Sequence, residues 1–414
     1  MIILNIFLYI FITLFYAAVI VGYGAQFKKR IFHDDNDSIG EFGIYGFITL
    51  YFLSILIHFL LPINFFVNLP ILGLGTYFFF KEIKFNKIKF VTNKKFLFFL
   101  FLFFVLSFTN QFHDDTYLYH LPYINYVQKF KIIFGLVTIN DFLAYGHGFF
   151  DILALFRLPK ISNSLVFTLP VIFLAFFIMY LYEQAKKYNF YNKFFISIII
   201  SVLFFRYYQS KDYGTDLPVL ILIFLIQINL LNYFFNKNIN YFYKSVLYFL
   251  TGVFFKVYML FAVFYLFPFI LLIKLKKIQL TKHKKIISFL FLLVFLSFGK
   301  NIIHSGCFIY PMHQTCLDSQ SISWSYGKDL SKKRMIFLEA ASKGWLSNYR
   351  FSTESKFIQP DKYLKIYKYN YYKNLILDQD FFHFILVILV FLVLLILNRN
   401  KEIKTKVNNK EKIL

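Results

Sequence analysis

The chain has 414 residues, of which 59% are hydrophobic and only 16% are charged, and its mean hydropathy is +0.59. A soluble domain of this length cannot hide so much apolar surface, so the composition excludes a soluble globular protein and predicts a polytopic membrane protein. The formal net charge of +24 is typical of basic cytoplasmic loops, so no nucleic-acid partner is expected.

The first third of the chain sets the predicted orientation. Residues 2–21 form an apolar run with no basic residues before it and no small-residue cleavage site, which favours a spanning helix over a removed signal peptide. Further spans are expected at 42–61 and 64–80, with a turn at Pro62. The short segment 81–95 carries six lysines and is therefore expected in the cytoplasm.

The next span, 96–109, then leads outward, and residues 245–274 are expected to form two passes because Lys256 interrupts the apolar run. The remaining predicted spans are 164–183, 194–206, 217–235, 287–304 and 382–397. The total is about eleven spans, with the N-terminus outside, and every short basic loop falls on the same side of the membrane. The fold class is therefore predicted to be all-α.

Four regions follow from this topology. They are a three-helix N-terminal extension (1–95), a membrane core (96–304), an external loop of mixed structure (305–380), and a last span with a basic cytoplasmic tail (381–414). Three polar segments are expected on the external face, at 110–163, 207–216 and 305–380. A reaction centre on that face would draw on all three.

An acidic pair emerges where an uncharged apolar run ends. His113, Asp114 and Asp115 follow the run 96–108, and ionisable groups at a membrane surface are functional candidates. Asp114 and Asp115 suit a general base and a ligand of a divalent cation such as Mg or Mn. The alternative is that the pair caps the next helix. His113, and Tyr119 and His120 just beyond, are candidate substrate-binding residues.

An interfacial amphipathic helix is predicted after the acidic pair. Pro122 suits a helix start and Gly135 a helix end. Apolar side chains recur at helical spacing on one side of this segment, at Tyr123, Val127, Phe130 and Phe134. Residues 140–151 then suggest a second, irregular site segment, in which His147 is either a substrate contact or a plain surface histidine.

Two further candidates lie beside membrane helices. Asp216 opens a helix with Pro218 in its first turn, and it is either an N-cap or a second catalytic or metal-binding carboxylate. Lys211 lies in the same external loop and is a candidate substrate contact. Lys256 either extends its amino group to the interface or pairs with a lipid phosphate.

The third external segment contains both cysteines of the chain. Cys307 and Cys316 lie close together in a polar loop, and external placement favours a disulfide between them. The Cys-x-x-Cys spacing of redox and metal pairs is absent. Tyr310, which precedes Pro311 in an extended or turn element, is a candidate substrate contact.

Together these motifs resemble the GT-C superfamily of polyprenyl-phosphate-sugar-dependent glycosyltransferases. The resemblance covers residues 96 to 330 and depends on the order of its motifs. They are Asp114-Asp115, Tyr119-His120-Leu121-Pro122, Asp216-Leu217-Pro218, Lys256, and the loop Gly306 to Cys316 with Tyr310-Pro311. It implies that Asp114 or Asp115 is the base and that His120, Asp216 and Lys256 contact the donor phosphate or a metal ion.

The expected function is transfer of a sugar from a polyprenyl-phosphate carrier to a glycan, lipid or protein acceptor. The expected location is the bacterial inner membrane, with the active site on its external face. One alternative is an O-antigen polymerase or ligase. Such enzymes tend to use arginines in outer loops, but the external loop 305–380 has few arginines. Another is a transporter or flippase, which would be expected to show inverted repeats and charges near the midplane of the bilayer.

Overall fold

The computed structural model describes residues 2–32, 38–84, 93–107, 115–145, 148–159, 168–185, 199, 203, 214–236, 238–267, 283–320, 322–345 and 358–367. These residues are mainly helical and contain no β-strand beyond one isolated bridge. The all-α prediction is therefore confirmed for the described part of the chain.

The α-helices of the described residues are α1 (Ile2–Phe27), α2 (Ile39–Leu60), α3 (Phe65–Lys84), α4 (Lys94–Ser107), α5 (Leu121–Lys129), α6 (Gly148–Phe156), α7 (Thr168–Ala185), α8 (Asp216–Asn236), α9 (Asn240–Phe255), α10 (Lys284–Ser305), α11 (Gly327–Ser342) and α12 (Pro360–Ile366). A π-helical turn, Thr116–His120, runs directly into α5, and a 3₁₀ segment, Val257–Tyr265, follows α9.

Among the described residues, five helices are long and apolar enough to cross a membrane. They are Phe7–Phe32, Ile39–Leu60, Thr168–Ala185, Asp216–Tyr233 and Lys284–Ser305. Five spans expected from the sequence fall on these helices, so the protein is a membrane protein. The total of eleven spans stays a prediction, since the expected span 382–397 and most of 194–206 lie outside the described residues.

The chain divides into two compact units. One consists of Met1–Glu183 and Tyr207–Ser331, and the other of Gln184–Arg206 and Lys332–Leu414. In the second unit, Ala340, Trp345 and Tyr363 form a small core. All residues of the candidate site lie in the first unit. The four regions proposed from the sequence stay a prediction.

Small residues allow α1 and α2 to pack with their backbones close together. A Cβ atom added to Gly24 would lie 1.7 Å from the carbonyl oxygen of Phe42, and one added to Gly46 would lie 2.0 Å from that of Ile20. Glycine at such contacts is typical of helix pairs in membranes, where close van der Waals packing drives association. The contact fixes α2, which carries buried polar groups near both of its ends.

The first of these groups lies at the beginning of α2. The Glu41 carboxylate receives Lys28 on one oxygen and Lys244 on the other, at 2.6 Å each. Tyr45 Oη donates to the same carboxylate at 3.2 Å, and the Lys244 amino group lies 5.5 Å from the ring centroid of Phe32. We call Lys28, Glu41 and Lys244 the Glu41 cluster. All three residues are buried.

The contacts of α2 agree with the sidedness expected from charge. The Glu41 cluster joins Lys28 to Lys244, and the positive-inside rule assigns both lysines to the cytoplasm. At the other end of α2, Ile132 N donates to His58 O at 3.0 Å, and residue 132 belongs to a predicted external loop. Each contact thus joins residues expected on the same face.

One expectation from helical spacing is wrong. Helix α5 ends at Lys129 rather than continuing to Gly135, because the chain turns to an extended conformation at Phe130. Tyr123 and Val127 are buried, whereas Phe130 and Phe134 are exposed. The physical cause is the backbone bond from Ile132 N to His58 O, which replaces a helical bond. Gly135 instead takes a left-handed conformation with φ of 66°.

Candidate functional site

Asp115 is the first described residue of the helical segment that continues into α5. It precedes the turn Thr116–His120, yet its side chain makes no capping hydrogen bond. Its carboxylate instead accepts a hydrogen bond from Tyr119 Oη at 3.2 Å. The Asp115 carboxylate therefore does not act as a helix cap. It is held by the hydroxyl group of Tyr119, which lies one helical turn further along the chain.

The inner face of this segment packs against α6. His120 is buried, and its ring lies 4.5 Å from that of Phe150. One turn later Tyr123 is also buried and contacts the same phenylalanine, at 6.2 Å between ring centroids. Two side chains at helical spacing thus fix the segment that bears Asp115.

Helix α6 is a short, wholly buried element in which every residue is inaccessible to solvent. The last carbonyl groups of a helix have no partner within it, and here side chains of other helices supply the donors. Tyr16 Oη donates to Phe156 O at 2.6 Å, and Asn68 Nδ2 donates to Ala154 O at 2.9 Å. Gln128 Nε2 of α5 donates to Ala154 O at 3.2 Å. Helix α6 is therefore anchored from α1, α3 and α5.

A buried charge pair lies at the centre of these contacts. Asp151 of α6 is fully buried and forms an ion pair with Lys300 of α10 through Oδ2. Tyr123 Oη donates to Asp151 Oδ1 at 3.0 Å, and the Lys300 amino group lies 5.5 Å from the Tyr123 ring centroid. We call Tyr123, Asp151 and Lys300 the Asp151 cluster.

Burial dominates the electrostatics of the Asp151 cluster. Loss of solvent raises the pKa of the Asp151 carboxyl group, while the Lys300 ammonium and the Tyr123 hydroxyl act in the opposite direction. Burial also raises the pKa of the Tyr123 hydroxyl, as does the neighbouring Asp151 carboxylate. The tyrosine therefore remains a neutral donor at physiological pH.

Two histidines adjoin the Asp151 cluster. His304 lies one turn after Lys300 on α10, and its ring centroid is 6.3 Å from that of Tyr123 and from that of His58 on α2. A ring nitrogen of His58, Nε2, lies 3.1 Å from Phe130 O. The polar groups at this end of the unit thus come from α2, α5, α6 and α10.

Sequence reasoning missed the Asp151 cluster as a site. Asp151 and Tyr123 entered only as parts of longer motifs, and Lys300 and the two histidines were not singled out. One signal was present, since Lys300 interrupts the apolar run 287–304 as Lys256 interrupts 245–274, and an ionisable residue in such a run is a functional candidate.

Asp216 and Lys256 are neighbours in the structure. Asp216 is the first residue of α8, and Lys256 follows the last residue of α9. They form an ion pair, and Tyr258 Oη donates to Asp216 Oδ1 at 3.3 Å. The Lys256 side chain is 41% exposed and that of Asp216 is 34% exposed, so the ion pair is only partly buried.

Helix α6 also connects the Asp216–Lys256 pair to the helical segment that bears Asp115. Phe255, which precedes Lys256, lies 5.5 Å from Phe149 between ring centroids. Phe150, the next residue of α6, contacts His120 on the segment that bears Asp115. The ends of α9 and α5 therefore pack on consecutive residues of the same buried helix.

The third candidate loop contains the disulfide and Tyr310. Cys307 and Cys316 are joined, and Tyr310 is buried with them against Val137 and Ala144. A row of ring contacts leads from this loop to the helical segment that bears Asp115. It runs from Tyr310 to Tyr145 at 5.3 Å, to Phe142 at 6.2 Å and to Tyr119 at 5.4 Å.

Four expected site residues, His113, Asp114, His147 and Lys211, lie outside the described residues. The other expected residues all lie in the first unit. Within the described ranges, no group of three or more His, Cys, Asp or Glu residues could hold a metal ion. Asp216, for which the sequence left an N-cap and a catalytic or metal-binding role open, pairs with the Lys256 ammonium.

The fold and its buried charged groups define the class of this protein as a helical integral membrane protein. The chain belongs to the family described as a domain of unknown function (DUF8201), whose family model matches residues 1–411. No curated protein and no solved structure matches the chain.

Proposed function

We propose that the protein is a GT-C-type glycosyltransferase that moves a sugar from a polyprenyl-phosphate carrier to an acceptor outside the cytoplasm. The observation that carries the proposal is the set of contacts made by the Asp115 carboxylate. Its carboxylate does not cap its helix and contacts Tyr119, while the same segment is fixed on α6. A positioned carboxylate next to a hydrogen-bond donor is suited to general base catalysis.

In the proposed reaction, the acceptor hydroxyl attacks the anomeric carbon of the donor with inversion. The Asp115 carboxylate takes the hydroxyl proton, the new bond from oxygen to the anomeric carbon forms, and the bond to the phosphate oxygen breaks. Polyprenyl phosphate leaves with the bonding electron pair. Tyr119 holds the Asp115 carboxylate in place through its hydroxyl group.

The leaving phosphate requires positive charge, and Lys256 is suited to supply it. Its side chain is partly exposed, and only one of its three hydrogen-bond donors is needed for Asp216. Asp216 then orients the lysine. Because the Asp216 carboxylate is already paired with an ammonium group, it fits poorly as a ligand of a divalent cation, and we assign the charge on the phosphate to Lys256.

The positions of the buried charges support an enzyme over a transporter or flippase. Glu41 is the third residue of α2, and His58 lies two residues before its end. Transporters concentrate such groups near the midplane of the bilayer. Buried polar clusters near the two ends of a membrane helix are better suited to holding a site at a surface.

A deletion strain complemented with single variants tests the proposal. Asp115→Asn is expected to abolish transfer while the protein remains folded and inserted, so one sugar is lost from the surface glycans. Asp361→Asn, at an exposed position in the second unit, is the matched control and should restore the parental profile. Normal glycans with Asp115→Asn would remove Asp115 from the reaction, and an altered small-molecule profile alone would favour transport.

The proposed external location has its own test. A membrane-impermeant thiol reagent applied to intact cells should label His113→Cys but not Lys87→Cys, because the segment 81–95 is strongly basic. The opposite labelling pattern would place the acidic pair in the cytoplasm and would contradict the use of an externally presented sugar donor.

A further inference from the structure

The Asp151 cluster connects three helices through a single buried carboxylate. One carboxylate oxygen of Asp151 on α6 pairs with Lys300 of α10. The other oxygen accepts a hydrogen bond from Tyr123 of α5. Tyr123 also presents its ring to the Lys300 amino group at 5.5 Å. It therefore contacts both charged residues, and its position depends on both.

Burial makes this arrangement demanding. The Asp151 side chain is completely inaccessible and that of Lys300 is 8% exposed. Two charges removed from water regain little net stability from each other, and apolar residues of similar volume often serve the fold as well. Where such a pair is retained, one use is to specify a single geometry of the elements that it joins.

The helical segment fixed by this pair is the one that bears Asp115. Tyr123 lies one turn after Tyr119, and Tyr119 Oη donates to the Asp115 carboxylate at 3.2 Å. His120 between them packs on Phe150, the residue before Asp151. Helix α6 thus holds the segment at consecutive residues, by a ring contact at Phe150 and by a hydrogen bond at Asp151.

We infer that Asp151 and Lys300 are positioning residues that fix, through Tyr123, the placement of the helical segment bearing Asp115. Both side chains are buried, so the role assigned to them acts through Tyr123. The effect on sugar transfer rests on the proposed function, whereas the effect on the helix does not. A displacement of about 1 Å from the productive geometry is enough to slow a reaction roughly 100-fold.

The position of the helix is tested first, in the full-length protein in native membranes. Ile124→Cys places a thiol on the buried face of α5, since Ile124 is 1% exposed. Cys307 and Cys316 are joined in a disulfide, so N-ethylmaleimide under non-reducing conditions reports the new thiol. The thiol should be protected in this background and should react about tenfold faster when Asp151→Asn and Lys300→Met are added, because the helix opens locally.

The matched control is the Glu41 cluster, which is a buried group of charges in the same unit. Glu41→Gln with Lys28→Met and Lys244→Met removes all three buried charges of the Glu41 cluster at the opposite end of α2, where the charge contacts described above do not reach α5. In this control, the thiol introduced by Ile124→Cys should stay protected from N-ethylmaleimide. Equal reactivity in the Asp151 double variant and the Glu41 triple variant would indicate general loosening and would overturn the inference, as would protection in both.

The second measurement concerns transfer. Asp151→Asn with Lys300→Met should lower kcat at least about tenfold with little change in KM for the acceptor, because the base is displaced rather than the binding surface. Tyr123→Phe, which removes only the hydroxyl group, should lower kcat less. A rise in KM with unchanged kcat would contradict a positioning role. If Asp115→Asn leaves transfer intact, the proposed function fails, yet the labelling result still decides whether the pair positions the helix.

Discussion

The Glu41 cluster and the Asp151 cluster solve the same physical problem in different ways. Both bury a carboxylate and compensate it with lysine. Glu41 has two lysines and a tyrosine hydroxyl, whereas Asp151 has one lysine and one tyrosine hydroxyl. Loss of one lysine leaves Glu41 with a charged partner, but it leaves Asp151 without one among the contacts described above.

The surroundings of the two clusters differ as well. The Glu41 cluster joins the end of α1, the start of α2 and α9, and none of its residues belongs to an expected site motif. The Asp151 cluster holds α5, which leads back to Asp115. A redundant cluster is suited to stabilising the fold, whereas a cluster with a single lysine makes the position of one helix depend on one ion pair.

The largest expected effect is that of Lys300→Met. It leaves the fully buried Asp151 carboxylate without its cation, which should cost about 3–5 kcal/mol of stability. The measurement is the thermal unfolding temperature of the purified protein in detergent. The double variant Asp151→Asn with Lys300→Met should recover much of the loss. If the single variant is as stable as the parent, the pair is not compensating a buried charge.

A smaller loss is expected for Lys244→Met. The Glu41 carboxylate keeps Lys28 at 2.6 Å, so only one charge-assisted hydrogen bond is removed, at about 1.5–3 kcal/mol. The same thermal measurement compares the two lysine variants directly. A loss equal to that of Lys300→Met would refute the redundancy attributed to the Glu41 cluster.

Tyr123→Phe should have a still smaller effect on stability. It removes the hydroxyl bonded to Asp151 Oδ1 and keeps the ring that faces Lys300, so the expected cost is about 1–2 kcal/mol. Tyr45→Phe is the matched control, since it removes the corresponding hydroxyl from Glu41. The two variants should differ in sugar transfer, which only Tyr123→Phe is expected to reduce.

The smallest effect on stability is expected for Lys256→Met. Its ion pair with Asp216 is partly exposed, and such pairs contribute about 0–1 kcal/mol. Under the proposed function, transfer should nevertheless fall strongly because the leaving phosphate loses its cation. Lys343→Met, at a surface ion pair in the second unit, controls for loss of an exposed charge. A large stability loss with normal transfer would make Lys256 a structural residue.

Local sequence signals predicted two helix boundaries correctly. Helix α8 begins at Asp216, and α9 ends just before Lys256, as the polar residues at these positions indicated. Both predictions depend on a few adjacent residues. The end of α5 could not be predicted in this way, because it depends on a backbone bond between Ile132 and His58, which are far apart in the chain.

The amino-acid sequence by itself determined the helical membrane class, because the apolar runs and the basic loops that flank them act over short stretches of chain. It also brought out Asp115, Tyr119 and Lys256 as candidate residues. Only the tertiary structure decided that Asp151 pairs with Lys300, since these residues are separated by 149 positions and nothing in either local stretch specifies the other. The physical reason is that burial assigns partners by packing, and packing is a property of the assembled helices.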